Sequence, residues 1–285
     1  MSKVETVQSL YFSPGGTTKK ITKAIAKNVG LKKVTSIDLT PLNKRKRFKG
    51  EVKGDLLIVG MPVYHESPPW PTLAPLNLLK GEGKWAVPIA VYGNRTEGTC
   101  VEEMGKILKS RGFKILAAGA FLAEHSWASK ERPYALGRPD RSDMRIAADF
   151  GKRIGSKLSL VPPERMQIHL SSRLVSYFTR EEMESFPEGY HMNAVNELVS
   201  LGGVAYDEKV GCTNCGKCIT SCPTNVLEMN PFKLDLEHCI RCMACVKACP
   251  TGALSLKLVD SEQNRELFKV LDRVFAVRRE PITRL

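Results

Sequence analysis

Nowhere in these 285 residues does an uninterrupted apolar run approach the roughly 18 residues of a membrane-spanning helix. A secretory leader, with its charged, apolar and small-residue parts, is not visible at the start. A soluble chain of the cytoplasm is therefore expected. There is no G-x-G-x-x-G fingerprint, and the loop from Ser13 to Thr18 lacks the Walker spacing and its Gly-Lys pair, so neither a separate dinucleotide site nor a P-loop at that position is anticipated. Low-complexity tracts are missing. Acidic residues are in short supply, since 30 Asp and Glu face 43 Lys and Arg for a net charge of +13. Such a balance invites a nucleic-acid reading. Yet no recognition-helix signature is present, and the densest basic run, Lys44-Arg45-Lys46-Arg47-Phe48-Lys49, has no aromatic interleaving beyond Phe48. A nucleic-acid partner is not expected.

Cysteine, by contrast, is concentrated. Of nine in the chain, eight fall in two runs, Cys212, Cys215, Cys218 and Cys222 before Pro223, and Cys239, Cys242, Cys245 and Cys249 before Pro250. Both runs carry the C-x2-C-x2-C-x3-C-P spacing of bacterial 4Fe-4S proteins. A cubane cluster needs four converging thiolates, and a tight loop with cysteines every third residue can present only three. In this ligation pattern the last cysteine of each run serves the other cluster. One site is thus expected to use Cys212, Cys215, Cys218 and Cys249, and the second Cys239, Cys242, Cys245 and Cys222. The echo of Cys222-Pro-Thr-Asn-Val-Leu in Cys249-Pro-Thr-Gly-Ala-Leu points to two pseudo-symmetric halves. Disulfides suit small secreted chains better than one of this length. Structural zinc usually shows paired C-x2-C elements, not two runs of four each followed by proline. The ninth, Cys100, stands alone in a helical pattern and reads as a buried apolar residue.

The first 160 residues alternate strand and helix. Val4 to Phe12 is apolar-rich and runs into Ser13-Pro14-Gly15-Gly16-Thr17-Thr18, after which Ile21, Ala24, Ile25 and Val29 recur with helical period. Further strands are expected at Val34 to Leu39, Asp55 to Met61, Trp85 to Tyr92 and Phe113 to Ala123. A helix carries Val101, Met104 and Leu108, and a closing helix spans Asp143 to Leu158. Alternation of this kind means an α/β fold with a parallel sheet covered on both faces. The small-residue loop after the first strand can wrap backbone N–H groups and hydroxyls around a phosphate at a helix N-terminus. By itself it can equally be a turn with a helix cap.

In this context Tyr11-Phe12-Ser13-Pro14-Gly15-Gly16-Thr17-Thr18 resembles the flavodoxin phosphate loop, with Pro14 and Gly15 in place of the more usual Gly-Thr pair. The resemblance implies a flavodoxin-like, doubly wound, five-stranded parallel sheet holding FMN at the carboxyl ends of its strands. It implies phosphate binding by Ser13, Gly15, Gly16, Thr17 and Thr18. Pro62, Val63 and Tyr64 would form one ring-binding loop, and Tyr92, Gly93, Asn94 and Arg95 the other. Aromatic packing at a sheet end is the bland reading of Tyr64 and Tyr92. From end to end the chain resembles flavodoxin–ferredoxin fusion proteins, in which motifs similar to Leu122–Trp127 and 137–140 flank the flavin edge. This makes His125, Ser126 and Arg138 further candidates, while Asp140 or Ser142 can be a helix N-cap.

Pro162-Pro163 stops the closing helix. The expected division is a flavodoxin-like domain over residues 1–161, a helical connector over 162–204 that includes a helix from Met192 to Leu201 ended by Gly202-Gly203, a smaller ferredoxin-like α+β domain with two 4Fe-4S clusters over 205–260, and a C-terminal helix and tail over 261–285. Leu267, Val270, Leu271 and Val274 share one face of that last helix, which is expected to pack back on the body.

An FMN joined to two clusters reads as an electron-transfer protein, because clusters pass single electrons and a flavin holds one or two. The alternative is a flavin-dependent oxidoreductase acting on NAD(P)H or a quinone, since this fold hosts those as well. A third reading leaves the flavodoxin-like part as an empty docking platform. The basic run is either a solvated face or a surface that steers an acidic redox partner. Donor, acceptor and any homo-oligomer stay open.

Overall fold

The computed structural model describes residues 4–170 and 201–285. The connector helix expected from Met192 therefore lies outside the described residues, apart from its last residue, Leu201.

Strands β1 (Thr6–Tyr11), β2 (Lys33–Asp38), β3 (Leu56–Pro62) and β4 (Trp85–Tyr92) form a parallel sheet in the order β2-β1-β3-β4. Every residue of β3 and β4 is buried, as continuous apolar runs require when helices cover both faces of a sheet. Register is set by pairs such as Val7 with Leu56 and Leu56 with Trp85.

The fifth strand, expected from Phe113 to Ala123, is split into β5 (Lys114–Ile115) and β6 (Ala118–Leu122), both parallel to β4. At the break, the amide of Ile168 takes the Ile115 carbonyl at 2.8 Å, so this stretch is bonded by chain that returns after the closing helix.

Between the strands lie α1 (Thr17–Lys27), the short α2 (Leu42–Arg47), α3 (Leu73–Leu78), α4 (Cys100–Ser110) and α5 (Arg141–Leu160). Helices α1 and α5 pack together where Gly151 and Gly155 leave room. A Cβ on either would lie 2.4 Å from Ile25 O or 2.1 Å from Val29 O. Cys100 is buried in the opposite core with Met104 and Leu108, in keeping with its apolar reading. Asp140 caps α5, accepting from the amides of Ser142 and Asp143 while Asp143 accepts from the amide of Asp140. This is a reciprocal capping box.

A one-turn helix, α6 (Pro163–Met166), follows α5. In the C-terminal unit β7 (Gly202–Tyr206) pairs antiparallel with a later strand, so Gly202 and Gly203, which follow directly on the helical Leu201, also open a strand. Between the pair come α7 (Lys217–Ser221), the hairpin β8 (Leu227–Glu228) and β9 (Lys233–Leu234), α8 (Ala244–Ala248), and then the partner strand β10 (Leu254–Leu258). The repeat is visible in the backbone. Each small helix starts after a residue with positive φ, Gly216 or Met243, and ends at a cysteine of the same conformation, φ −72° and ψ 113° at Cys222 against φ −74° and ψ 112° at Cys249.

Helix α9 (Glu262–Ala276) buries Leu267, Val270, Leu271 and Val274, as its periodicity predicts. The chain then returns to the first sheet, where β11 (Ile282–Arg284) pairs antiparallel with β6 and covers that edge. This sixth position was not expected. The five parallel positions stand as anticipated, with the antiparallel strand added outside them. Ile240, Cys242 and Ala244 share a hydrophobic core with Leu10, Phe12 and Tyr92, so the cysteine-rich unit is packed directly on the sheet.

Candidate functional site

The loop after β1 turns into α1 at Gly16, whose φ of +81° lies in the left-handed region that glycine enters without strain. Ser13 organises the turn from within. Its carbonyl accepts from Gly16 N at 3.1 Å, and its hydroxyl accepts from Lys19 N at 2.9 Å. Among the described residues the amides of Gly15, Thr17 and Thr18 have no acceptor, and a Cβ on Gly15 or Gly16 would meet nothing within 4 Å. Unpaired amides at the start of an eleven-residue helix, facing open space, suit a phosphate.

Two further loops close on the same cavity. After β3, Tyr64 and Ser67 exchange backbone bonds across a tight turn in which His65 and Glu66 have φ of +52° and +66°. After β4, Arg95 pairs with Glu66 at 3.0 Å, and Thr99 N donates to Glu66 O at 2.7 Å. The two loops are thus tied to each other. Of the twelve expected flavin contacts, Gly15, Thr17, Thr18, Pro62, Val63, Tyr64, Tyr92, Gly93 and Arg95 line one cavity. Ser13, Gly16 and Asn94 do not. The amide of Asn94 instead donates to Phe275 O at 3.0 Å and Val277 O at 2.7 Å, fastening the end of α9.

The loop after β6 contributes His125 and Ser126 to the lining. Nδ1 of His125 accepts from Trp127 N at 3.1 Å, which puts the proton of the neutral ring on Nε2. Burial, with the cations Arg95 and Lys247 nearby, draws this histidine down to about 3, so it is neutral at ordinary pH. Arg138 lies elsewhere, ion-paired with Asp143 and donating to Arg279 O at 2.9 Å. It belongs to the helix cap and the C-terminal tail. The phenol of Tyr92 is buried without a partner among the described residues, and burial together with Glu97 raises it.

Ile240, Arg241, Cys242 and Lys247 of the cysteine-rich unit line the cavity too, as do Phe268, Leu271 and Phe275 of α9. None of these was anticipated at a flavin site. Their contacts join residues more than a hundred positions apart, which no local motif announces. Lys247 reaches across to Glu124 at 2.6 Å. Phe275 stacks on Tyr134 at 4.2 Å and meets His125 edge-on at 5.2 Å.

Cys212, Cys215, Cys218 and Cys249 surround one small cavity. Burial raises the Cys218 thiol, and Cys249 and Cys212 raise it further. Cys242 and Cys245 are each pushed up to about 12, first by burial and then by neighbours that include Cys239 and Cys222. A thiol raised by such neighbours is one that a cationic cluster core would bring down.

Backbone amides already point at several sulfurs. Asn214 N lies 3.4 Å from Cys212 Sγ. At Cys249 burial opposes the thiolate, but amides of Leu254, Thr251 and Gly252 and the Thr251 hydroxyl outweigh it, drawing the thiol down to about 7. A tetrahedral zinc site would gather its sulfurs to about 3.8 Å. Among the described residues, no three of these sulfurs lie within 4.8 Å of one another.

Residues 211–253 match the 4Fe-4S dicluster domain family. No functionally curated protein matches the chain. Among solved structures, similarity is found to a flavodoxin from the domain Archaea (16% identity, 54% of this chain and 99% of that one, TM-score 0.38). An NADH:FMN oxidoreductase in apo form is also similar (18%, 57% and 95%, TM-score 0.42), as is rubredoxin oxygen:oxidoreductase from Desulfovibrio gigas (16%, 55% and 37%, TM-score 0.42).

The strand order with the loops at its switch point defines a flavodoxin-like sheet, and the cysteine-rich unit is a 4Fe-4S dicluster domain. The chain joins a flavodoxin-like parallel sheet to a segment that matches the 4Fe-4S dicluster family. Among the described residues, no helix is long and apolar enough to cross a membrane.

Proposed function

We propose that this chain is an iron–sulfur flavoprotein that relays electrons between two 4Fe-4S clusters and an FMN held in the same polypeptide. The observation that carries the reading is the position of Cys242, which lines the cavity formed by the phosphate loop and the two ring loops. Cys239, Cys242, Cys245 and Cys222 would hold the cluster nearer the flavin. Cys212, Cys215, Cys218 and Cys249 would hold the outer one, where Cys215 is exposed. Gly15, Thr17 and Thr18 would bind the phosphate. Pro62, Val63, Tyr64, Tyr92, Gly93 and Arg95 would enclose the ring. The clusters supply one-electron transfer, and the flavin exchanges one-electron for two-electron chemistry. The chain's task is to keep the groups close, exclude water and set their potentials.

The working division is a flavin domain from the start to the prolines at 162 and 163, a connector, a dicluster domain from about Gly202, and a C-terminal helix with an edge strand. An acidic redox protein suits the exposed side chains of Lys44, Lys46 and Arg47 on α2. Its electron-transfer rate should fall steeply with added salt.

Anaerobic reconstitution followed by a combined optical and EPR titration tests the assignment. The expected result is one FMN and two distinct cluster signals per chain. A yellow-brown protein that releases no FMN on denaturation would overturn the flavin half, and a single cluster signal would overturn the ligand sets.

A further inference from the structure

Five charged side chains line the flavin cavity, and four of them neutralise one another in pairs, Glu66 with Arg95 at 3.0 Å and Glu124 with Lys247 at 2.6 Å. The fifth is Arg241, between Ile240 and Cys242. It is 8% exposed, its Nε is shut from solvent without a partner, and among the described residues its guanidinium makes no hydrogen bond or ion pair. An arginine cannot shed its charge at ordinary pH. Burying a cation costs free energy unless anions face it; the Cys239 thiolate favours the charge of Arg241 from the cysteine loop, whereas the carboxylates that line the cavity, Glu66 and Glu124, are already paired. Its reach is toward the ring loops. Together with loss of solvent and Arg95, it lowers the basicity of His65, which follows Tyr64.

Resting on the FMN assignment above, we propose that Arg241 is the cavity's unbalanced positive charge, that it favours reduced over oxidised FMN, and that it thereby biases electron flow from the clusters to the flavin. Two electrons, delivered singly by the clusters, and one proton add one negative charge to the flavin ring. The paired cations Arg95 and Lys247 already face carboxylates, whereas Arg241 has only that incoming charge and the adjoining thiolates to answer. The dicluster domain would in this way supply both the electrons and the charge that receives them. Arg241 acts here as a positioning residue for charge, and the predicted readout is a potential.

The test measures FMN and riboflavin binding, and the bound-flavin potential, in the cluster-loaded full-length chain and its Arg241→Gln and Arg241→Lys variants. The ratio of affinities for reduced and oxidised flavin should fall about tenfold in Arg241→Gln, a two-electron potential ~30 mV more negative. Lys should retain most of it, and riboflavin should show the same change as FMN. Arg241→Met replaces Gln if that variant fails to load clusters. A ratio within twofold of the parent, equal weakening of both flavin states, or a change seen with FMN but not riboflavin would overturn the proposal while leaving the FMN assignment standing. Failure of the parent to bind FMN would overturn both.

Discussion

The guanidinium of Arg45, on α2 of the flavodoxin-like sheet, donates to the carbonyl of Pro223, the residue after Cys222. Its other donors hold Leu39 O at 2.8 Å and Thr40 O at 2.9 Å, and its charge lies 5.4 Å from the centre of the Phe12 ring. In the densest basic run of the chain, one arginine is therefore turned inward, between the loop after β1 and the cysteine loop that ends at Cys222. Arg45→Ala leaves three carbonyls without their donor and should lower stability by about 2–3 kcal/mol. Arg45→Lys, a point charge in place of a fork, should recover part of that. The urea midpoint of the cluster-loaded chain measures it, and an unchanged midpoint would show that the contact holds nothing.

The crossing of cysteines can be read spectroscopically. Cys249→Ala should remove the same EPR signal as Cys215→Ala, and Cys222→Ala the same signal as Cys242→Ala, with about half the iron lost each time. If Cys249→Ala instead behaves like Cys242→Ala, each run holds its own cluster and the assignment is wrong.

Asn94 has φ of +68°, so Asn94→Gly keeps the backbone while removing the amide that binds Phe275 O and Val277 O. The C-terminal strand should loosen. Amide exchange at residues 278–285 is expected to quicken about tenfold, corresponding to ~1.4 kcal/mol of lost local stability. Unchanged exchange would mean that β11 holds itself in place.

His125 gives a pH dependence of known sign. Its native pKa of about 3 lies below the ordinary 6.5, because burial and then Arg95 and Lys247 oppose its charge. The unfolded chain binds the extra proton first as pH falls. Stability from this group is complete above pH 6.5 and is lost progressively toward pH 3. Between pH 6.5 and about pH 5.5 the loss is about 1 kcal/mol. Urea midpoints across that interval should be flatter in His125→Gln, and identical slopes would refute the shift.

Local features were legible in the sequence. The cysteine spacing, the loop from Ser13 to Thr18 and the buried strands at β3 and β4 all depend on residues a few positions apart, where turn chemistry and side-chain period act directly. What escaped depends on distant closure. The resemblance to flavodoxins placed Asn94 against the flavin, but its left-handed conformation turns the amide to the end of α9, some 180 residues on. Arg45 was one of six residues in a charge run until Pro223 set it apart. The sequence around Arg241 and Cys242 reads as a cysteine loop, because nothing near them says that the loop also forms a wall of the cavity at the carboxyl ends of the strands.

In the proposed relay, Cys242 on the cavity wall would keep electron transfer within one chain, and stopped-flow kinetics test that most directly. The FMN- and cluster-loaded chain is mixed anaerobically with excess one-electron donor at saturating concentration, and flavin bleaching is followed over a tenfold range of protein concentration. The account predicts a first-order rate that does not change with protein concentration and falls at least tenfold in Cys242→Ala. A rate that rises in proportion to protein concentration, or full-speed bleaching in Cys242→Ala, would contradict it.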